Sequence, residues 1–596
     1  MCGIFAYFGS NSAASIVRQG LENLEYRGYD SWGIAVTNGS QIKVLKAIGE
    51  VPKKLTDTQT MTGQIGIGHT RWATNGGVTQ INAHPHMAKS GAFTVVHNGI
   101  VENADELKRG LVDRGWRFQS ETDTEVIVYL LEESLEKKQS LNLAVRAVAS
   151  MLQGRNTFGI LTKTSELLAM KQGSPLVVGR SQDRQEYYLS SDTASLVGLA
   201  TEYLVLDDGQ LVEISRDDAD FLRSVISNVE NSSPVEAEWE KLSLNDQSSK
   251  LTDKHYMIQE IKETPVVMRT LARQSKVKYQ LVAQLIKQAK KVYVIGSGST
   301  GLAAASIASH LRQLGGIEAM ALVGAEARSY LPFVDKHTVI ISPSQSGETA
   351  DVLEVLIAAK KHGAKLVTFV NMPGSTMARL ADVSCMTEAG PERCVMSTKV
   401  FSAQITWGYL IGQAIAGRLP EAQKKVLAVA QQLVGALADR SYQSLIMKLV
   451  KSLVKVDDIY LLGTGELLPI AQEGMVKLIE GSYKHAHALP AGDLKHYAIT
   501  LMEEGVSVIF LDPGESSERQ AILTAAHEVG ARGARTIGIG PSPTNVFSEY
   551  LQTPDFGELQ AVASVVVLQL LSYHLTVMLG LPVDKPRNIA KSVTVK

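Results

Sequence analysis

The chain has 596 residues, 59 Lys and Arg against 61 Asp and Glu, a formal charge of −2 and 45% hydrophobic residues. That balance excludes a strongly basic nucleic-acid binder and a disordered chain, and the length leaves room for three or four cored domains. The cysteines Cys2, Cys385 and Cys394 are too few for a disulfide framework or a clustered zinc site, and they predict a reducing, cytoplasmic setting.

The opening "MCGIFAYFGS" lacks the basic start and long apolar core of a signal peptide. A lone cysteine near a chain end is ordinarily a structural or incidental thiol. Removal of Met1, however, would make Cys2 the first residue and give its thiol a neighbouring α-amine. The runs "CGIFAYFG", "WGIAVTNG", "QIGIGHTRWA" and "AFTVVHNGIVEN" predict strands ending in turns. "SAASIVRQGLENLEYRG" and "DTEVIVYLLEESLEKK" predict helices, the second with Glu133 and Lys137 paired at i,i+4 on a solvated face. Together they predict a layered α/β sandwich over the first 235 residues or so. Asn228 to Met257 is polar with a Ser-Ser-Pro break, the composition of a linker.

Beyond the linker, strands alternate with helices, which predicts doubly wound parallel sheets. The pattern repeats: "VYVIGSGS" at Val292 is followed 167 residues later by "IYLLGTGE" at Ile459, and "TVIISPSQSGET" is matched by "VSVIFLDPGESS". In "GSGST", Ser297, Ser299 and Thr300 open a helix after a strand, where free N–H groups suit an anion. "SPSQSGET" offers Ser344, Gln345, Ser346 and Thr349 before another helix. That set suits a sugar phosphate better than a nucleoside triphosphate, since no Walker lysine is present; the alternative is an N-cap without a ligand. "EGMVKLIE" puts Glu473, Lys477 and Glu480 on one helix face, which by itself reads as a structural ion pair. "HPH" (84–86) and "HAH" (485–487) lack ligand partners and read as structural histidines, so no metal is expected. The apolar stretch Ala561–Leu581 carries Gln569, Ser572 and His574 and reads as a core helix, not a membrane span.

Residues 280–585 resemble the sugar isomerase (SIS) family, whose phosphate-binding turn is similar to the "SxSGxT" at 344–349. "CVMSTKVF" (394–401), "EGMVKLIEGSYKHAHALPAGDLKH" (473–496) and "KPRNIAKSVTVK" (585–596) extend the resemblance to SIS enzymes that aminate a ketose phosphate. The first half resembles class II (Ntn-type) glutamine amidotransferase domains through "MCGIF", "LEYRGYDSWGIAV", "GHTRWATNG", "NAHPH", "VVHNGIVEN" and "SETDTE", in order. The resemblance implies an αββα Ntn sandwich at 2–235, a linker and lead-in helix at 236–275, and SIS domains at 280–425 and 445–585. A tail at 586–596 would close the sugar site.

By the same resemblance Cys2 is the nucleophile, Asn98 and Gly99 the oxyanion donors, and Arg71, Thr74 and Asp123 the glutamine contacts, with Trp72 as an ammonia gate. Ser297, Ser299, Thr300, Ser344, Gln345, Ser346, Thr349, Val395, Ser397 and Lys477 would hold the sugar phosphate. Glu480 would shift the proton between C1 and C2, His496 would open the ring across a subunit interface, and Lys591 would form a Schiff base. The implied substrates are L-glutamine and fructose 6-phosphate and the product glucosamine 6-phosphate, in a homodimer or higher homo-oligomer. No cofactor, nucleic acid or membrane is implied. Asn75, Thr464, Tyr497, Ala498 and Lys596 depart from the family pattern, and Thr464 and Tyr497 leave the identity of the ketose open. A non-catalytic SIS regulator is the other alternative, without a DNA-reading helix pair in the sequence to favour it.

Overall fold

The computed structural model describes residues 2–56, 61–137, 139–216, 222–242 and 251–593. The chain forms two compact units, Met1–Asp246 with Ala590–Lys596, and Gln247–Ile589.

The first unit holds two antiparallel sheets. In the eight-stranded sheet Gly3–Phe8 lies between Tyr187–Ser190 and Ile65–Arg71, and Ser31–Thr37 and Ile42–Ile48 follow toward one edge. In the six-stranded sheet Phe93–Gly99 pairs with Asn156–Thr162. "GIFAYF" is buried on both faces because alternate residues serve different layers. Ile4, Ala6 and Phe8 meet Val96, Leu161 and Val212 of the facing sheet, while Phe5 and Tyr7 meet Val17 and Leu21 of the helix Ala13–Leu24. On the far side, Phe93, Val95, Phe158 and Ile160 pack beneath the helices Thr124–Glu136 and Leu141–Met151. The result is the αββα sandwich expected.

Among the described residues of the first unit, four α-helices stand where periodicity predicted two. Ala104–Asp113 buries only Leu111, so its apolar stripe is too thin to read; Leu141–Met151 is started by Ser140, whose hydroxyl accepts from the Leu143 N–H. Glu133 does not rely on Lys137: Arg114 Nε and Trp116 Nε1 approach it at 2.8 and 2.7 Å. Part of the polar stretch predicted as linker is also structured. Glu240–Lys241 pairs with Glu202–Tyr203, and Trp239 lies under the Arg180 guanidinium at 3.9 Å. The lead-in helix is Tyr256–Arg273, and residues 243–250 of the expected linker fall outside the described residues.

The second unit contains two five-stranded parallel sheets of identical order. Along the first, the strands are Ala319–Val323, Lys291–Gly296, Thr338–Ser344, Lys365–Val370 and Val383–Met386. Along the second they are His485–Pro490, Asp458–Gly463, Ser507–Leu511, Arg535–Gly540 and Glu549–Gln552. The duplication read from the sequence is thus a duplication of topology. In each sheet the connection after the first strand leads to one edge and the connection after the third to the other, which opens a crevice at their carboxyl ends. In the first sheet that crevice lies between Gly296 and Ser344. The apolar helix Gln560–Met578 is core, with 83% of its most hydropathic window buried.

Candidate active sites

Because Gly3 pairs with Thr70, the strand Gly3–Phe8 delivers Cys2 beside the end of Ile65–Arg71. The Trp72 N–H points at Cys2 Sγ from 3.4 Å, and Sγ lies 3.6 Å from the Trp72 carbonyl. Burial pushes the thiol up, against the lowering pull of the Trp72 N–H and the Arg71 guanidinium. Arg71 is buried and donates to the carbonyls of Asn75 (2.6 Å), Gly76 (3.0 Å) and Gly77 (3.1 Å), so it organises the loop that follows it. Ala73 N–H is held by Asp30 at 2.8 Å, and Thr74 is exposed on the same loop. Asp123 Oδ2 accepts from Val101 N–H at 2.7 Å.

Asn98 and Gly99 end the strand Phe93–Gly99. Gly99 has φ +151°, and a Cβ there would sit 1.8 Å from the Arg155 carbonyl oxygen, so only glycine presents its N–H in this place. Asn98 Nδ2 donates to Ser191 Oγ at 2.8 Å, and its Oδ1 lies 3.1 Å from His69 Nε2. His69 is not among the residues expected from the sequence, although it lies inside the "GHTRWAT" block.

Four histidines are buried around this strand. His69 stacks on His84 at 4.2 Å, and His84 meets His86 edge-on at 4.8 Å. Their proton positions follow from their partners. His84 Nδ1 accepts from His97 N–H, so its Nε2 carries the proton and faces Thr124 Oγ1 at 3.3 Å. The Thr124 hydroxyl is then free to donate to His97 Nδ1 at 3.0 Å, leaving His97 Nε2–H for Asn156 Oδ1 at 3.2 Å. Burial lowers all four, His69 to about 3, so the group is neutral. Among the described residues no group of three or more His, Cys, Asp or Glu is placed to hold a metal ion. A cavity of about 520 Å³ borders His86, Lys46 and Glu125, but its polar groups bond within the protein. Lys46 Nζ donates to Ala83 O at 2.7 Å, and Glu125 accepts from Ser120 and Tyr129.

In the second unit, the turn after Lys291–Gly296 is closed by Thr300 Oγ1, which donates to Ser297 O at 2.8 Å and accepts from Ser297 N–H. The turn after Thr338–Ser344 is closed by Gly347 N–H donating to Ser344 Oγ at 2.9 Å. Gly347 has φ +67°, and a Cβ would strike Ser375 Oγ at 2.2 Å. Thr349 occupies the N-cap of the helix Ala350–Lys361, yet its hydroxyl makes no capping bond. It therefore stays available to a ligand at a helix N-terminus.

The helix Leu467–Ser482 carries an ion-paired row. Lys477, wholly buried, bridges Glu480 at 2.5 Å and Glu473 at 3.4 Å, and Ser299 Oγ donates to Glu473 Oε1 at 3.1 Å. The face read from "EGMVKLIE" is therefore tied to the glycine-serine turn. Burial outweighs Lys477 and raises Glu473 to about 7; burial would lower Lys477, but two carboxylates reverse that and raise it. Ser397 Oγ donates to Glu392 at 3.3 Å, and Val395 N–H to Asp584 O at 3.0 Å. Gln345 is half-buried beside Ser346, and a Cβ at Gly481 would lie 3.4 Å from Met396, so the 394–401 segment borders the helix bearing Glu480. His496 ends the short 3-10 helix Leu494–His496 and is exposed, as is Tyr497 after it. Lys591 lies in Ala590–Lys596, which groups with the first unit.

Residues 285–413 and 452–579 each match the SIS domain model, and residues 69–198 match the glutamine amidotransferase domain model. The chain is 34% identical over 615 aligned residues to the glutamine–fructose-6-phosphate aminotransferase [isomerizing] of Thermococcus kodakarensis. It is 35% identical over 623 to the protein of the same name from Gloeobacter violaceus, in both cases covering 100% of each chain. A solved C-terminal domain of glucosamine-fructose-6-phosphate aminotransferase from Francisella tularensis covers 56% of this chain and 99% of its own, at 26% identity and a TM-score of 0.49. These sites and matches define a glutamine amidotransferase joined to a pair of SIS domains. Full-length identity to the curated relatives places it more narrowly: the chain belongs to the family of glutamine–fructose-6-phosphate aminotransferases (isomerizing).

Proposed function

We propose that this chain moves the amide nitrogen of glutamine onto fructose 6-phosphate and isomerises the adduct to glucosamine 6-phosphate. The observation that carries this reading is the ion-paired row Glu473–Lys477–Glu480, whose first two members are buried and which Ser299 ties to a hydroxyl-lined turn, on a chain whose Cys2 thiol also meets the Trp72 N–H.

In the first unit Arg71 and Thr74 take the α-carboxylate end of glutamine and Asp123 its α-ammonium. Cys2, with the α-amine freed by loss of Met1 as its base, attacks the amide carbon. Asn98 Nδ2–H and Gly99 N–H stabilise the oxyanion, ammonia leaves, and water cleaves the thioester to glutamate. Trp72, whose N–H already touches the thiol, gates the ammonia.

In the second unit Ser344, Gln345, Ser346 and Thr349, with Ser297, Ser299 and Thr300, hold the phosphate by neutral donors; Val395, Ser397 and Lys477 complete the sugar contacts. His496 opens the ring, Lys591 of the C-terminal tail forms a Schiff base with the ketone, and ammonia displaces it at C2. Glu480 then carries the proton from C1 to C2, converting the imine to the amino-aldose. The exposure of His496 beside Tyr497 (53%) and Leu501 (55%) supports a homodimer in which each subunit lends this turn to its partner's sugar site. Tyr497 also favours a second reading, in which a different ketose phosphate is the acceptor. Glutamate release measured against a panel of ketose phosphates separates the two. Stimulation by fructose 6-phosphate supports the first, and stimulation only by another sugar overturns it.

A further inference from the structure

The nitrogen and oxygen ends of an asparagine amide are nearly the same shape, but only the N–H₂ end donates, and an oxyanion hole works only if that end faces the substrate. At Asn98 the neighbours on that question are Ser191 and His69. Ser191 does not decide it. Its hydroxyl already accepts from Ile4 N–H at 2.9 Å and can either accept from an amide N–H or donate to an amide oxygen.

His69 does decide it. Its Nε2 lies 2.9 Å from the His97 carbonyl oxygen, which can only accept, so Nε2 carries a proton. The same N–H lies 3.1 Å from Asn98 Oδ1, and reversal of the amide would set two donors against each other in a buried place. The other ring nitrogen, Nδ1, is buried without a partner, so a second proton there would be desolvated with nothing to bond. Stacking on His84 fixes the plane of the ring. His69 thus stays a neutral, single-proton donor with one orientation.

We propose that His69 is the positioning residue of the glutaminase oxyanion hole, locking the Asn98 amide so that Nδ2–H faces the tetrahedral intermediate. This rests on the reading of Asn98 as an oxyanion donor. In this proposal His69 acts through Asn98, the side chain its Nε2–H meets.

The test is a double-mutant cycle on the full-length enzyme, read as glutamate release, with Asn98→Ala, His69→Phe and the double variant. Phenylalanine keeps the stacked ring and removes the donor. Loss of one oxyanion donor costs ~10²–10³ in kcat; His69→Phe is expected to lose about tenfold or more in kcat by the same mechanism, since a freely turning amide spends part of its time reversed. KM for glutamine should stay within about twofold, because glutamine itself is held elsewhere. In the Asn98→Ala background His69→Phe should cost less than about twofold, and His69→Gln, which restores an N–H, should recover most of the rate. An unshifted melting temperature and unchanged Cys2 alkylation by iodoacetamide should accompany these results. If His69→Phe does not melt cooperatively, His69→Met is read in its place. Retained kcat in a folded His69→Phe, or a loss that adds in full to that of Asn98→Ala, overturns the proposal. Retained kcat in Asn98→Ala overturns instead the oxyanion reading beneath it.

Discussion

Cys2 sits in surroundings that raise its thiol, with the Trp72 N–H and Arg71 pulling the other way, so it is not a thiolate by default. Attack by such a thiol needs a base and oxyanion donors, and the rate should depend steeply on both. Cys2→Ala should lose glutamine hydrolysis by on the order of 10³-fold or more while sugar-phosphate binding is unchanged, checked by glutamate release and calorimetry in parallel. Protein purified with Met1 retained should show the same split, and full hydrolysis by such a chain would remove the α-amine from the mechanism. Thr349 invites a second test. Its hydroxyl caps nothing, so Thr349→Val should leave the melting temperature within a degree or so yet raise KM for fructose 6-phosphate by about tenfold or more, the worth of a hydrogen bond to a charged group. A loss of stability without a change in KM would return Thr349 to the plain N-cap that its sequence equally allows.

The strand Phe93–Gly99 and its histidines make their prediction as an element. Unfolded imidazoles bind protons near pH 6.5, whereas His69, His84, His86 and His97 are held lower in the fold. Below about pH 7 the unfolded chain therefore takes up protons that the folded chain does not. Stability of the first unit should be level above that pH and should fall on acidification, by up to about 1.4 kcal/mol per pH unit for each histidine. Thermal melting between pH 7.5 and 5.5 should show this slope, and His86→Asn should make it shallower. A slope that steepens in the variant would contradict the assignment. Elements were legible where the period was strong. "GIFAYF" and the strand-turn units of the second half are such cases, because alternate burial and glycine turns leave a mark along the chain. The thin helix Ala104–Asp113 and the edge strand Glu240–Lys241 were not, since the one buries a single leucine and the other is held through Trp239 against Arg180. His69 was unreadable for a different reason: its task depends on strand register with residues 28 and 29 positions later, which no local pattern encodes. Glu473, Lys477 and Glu480 were readable as a helix face, but the burial of Glu473 and Lys477 and the bond from Ser299 were not, because both depend on packing against other elements.

At the scale of the whole chain, one unit carries a glutamine amidotransferase domain and the other two SIS domains, with hydroxyl-lined turns and the ion-paired row Glu473–Lys477–Glu480. Neither accounts for the other's presence unless nitrogen passes from glutamine to sugar. Ammonia freed into water at neutral pH would be protonated and lose its nucleophilicity, so retained transfer is the central claim. The most direct measurement is to supply glutamine labelled with ¹⁵N at the amide, fructose 6-phosphate and excess unlabelled ammonium, and to analyse the amino sugar by mass spectrometry. Glucosamine 6-phosphate should carry ¹⁵N with little dilution, and none should form from Cys2→Ala with glutamine alone. Glutamate release without an aminated sugar, or product bearing mainly unlabelled nitrogen, would contradict it.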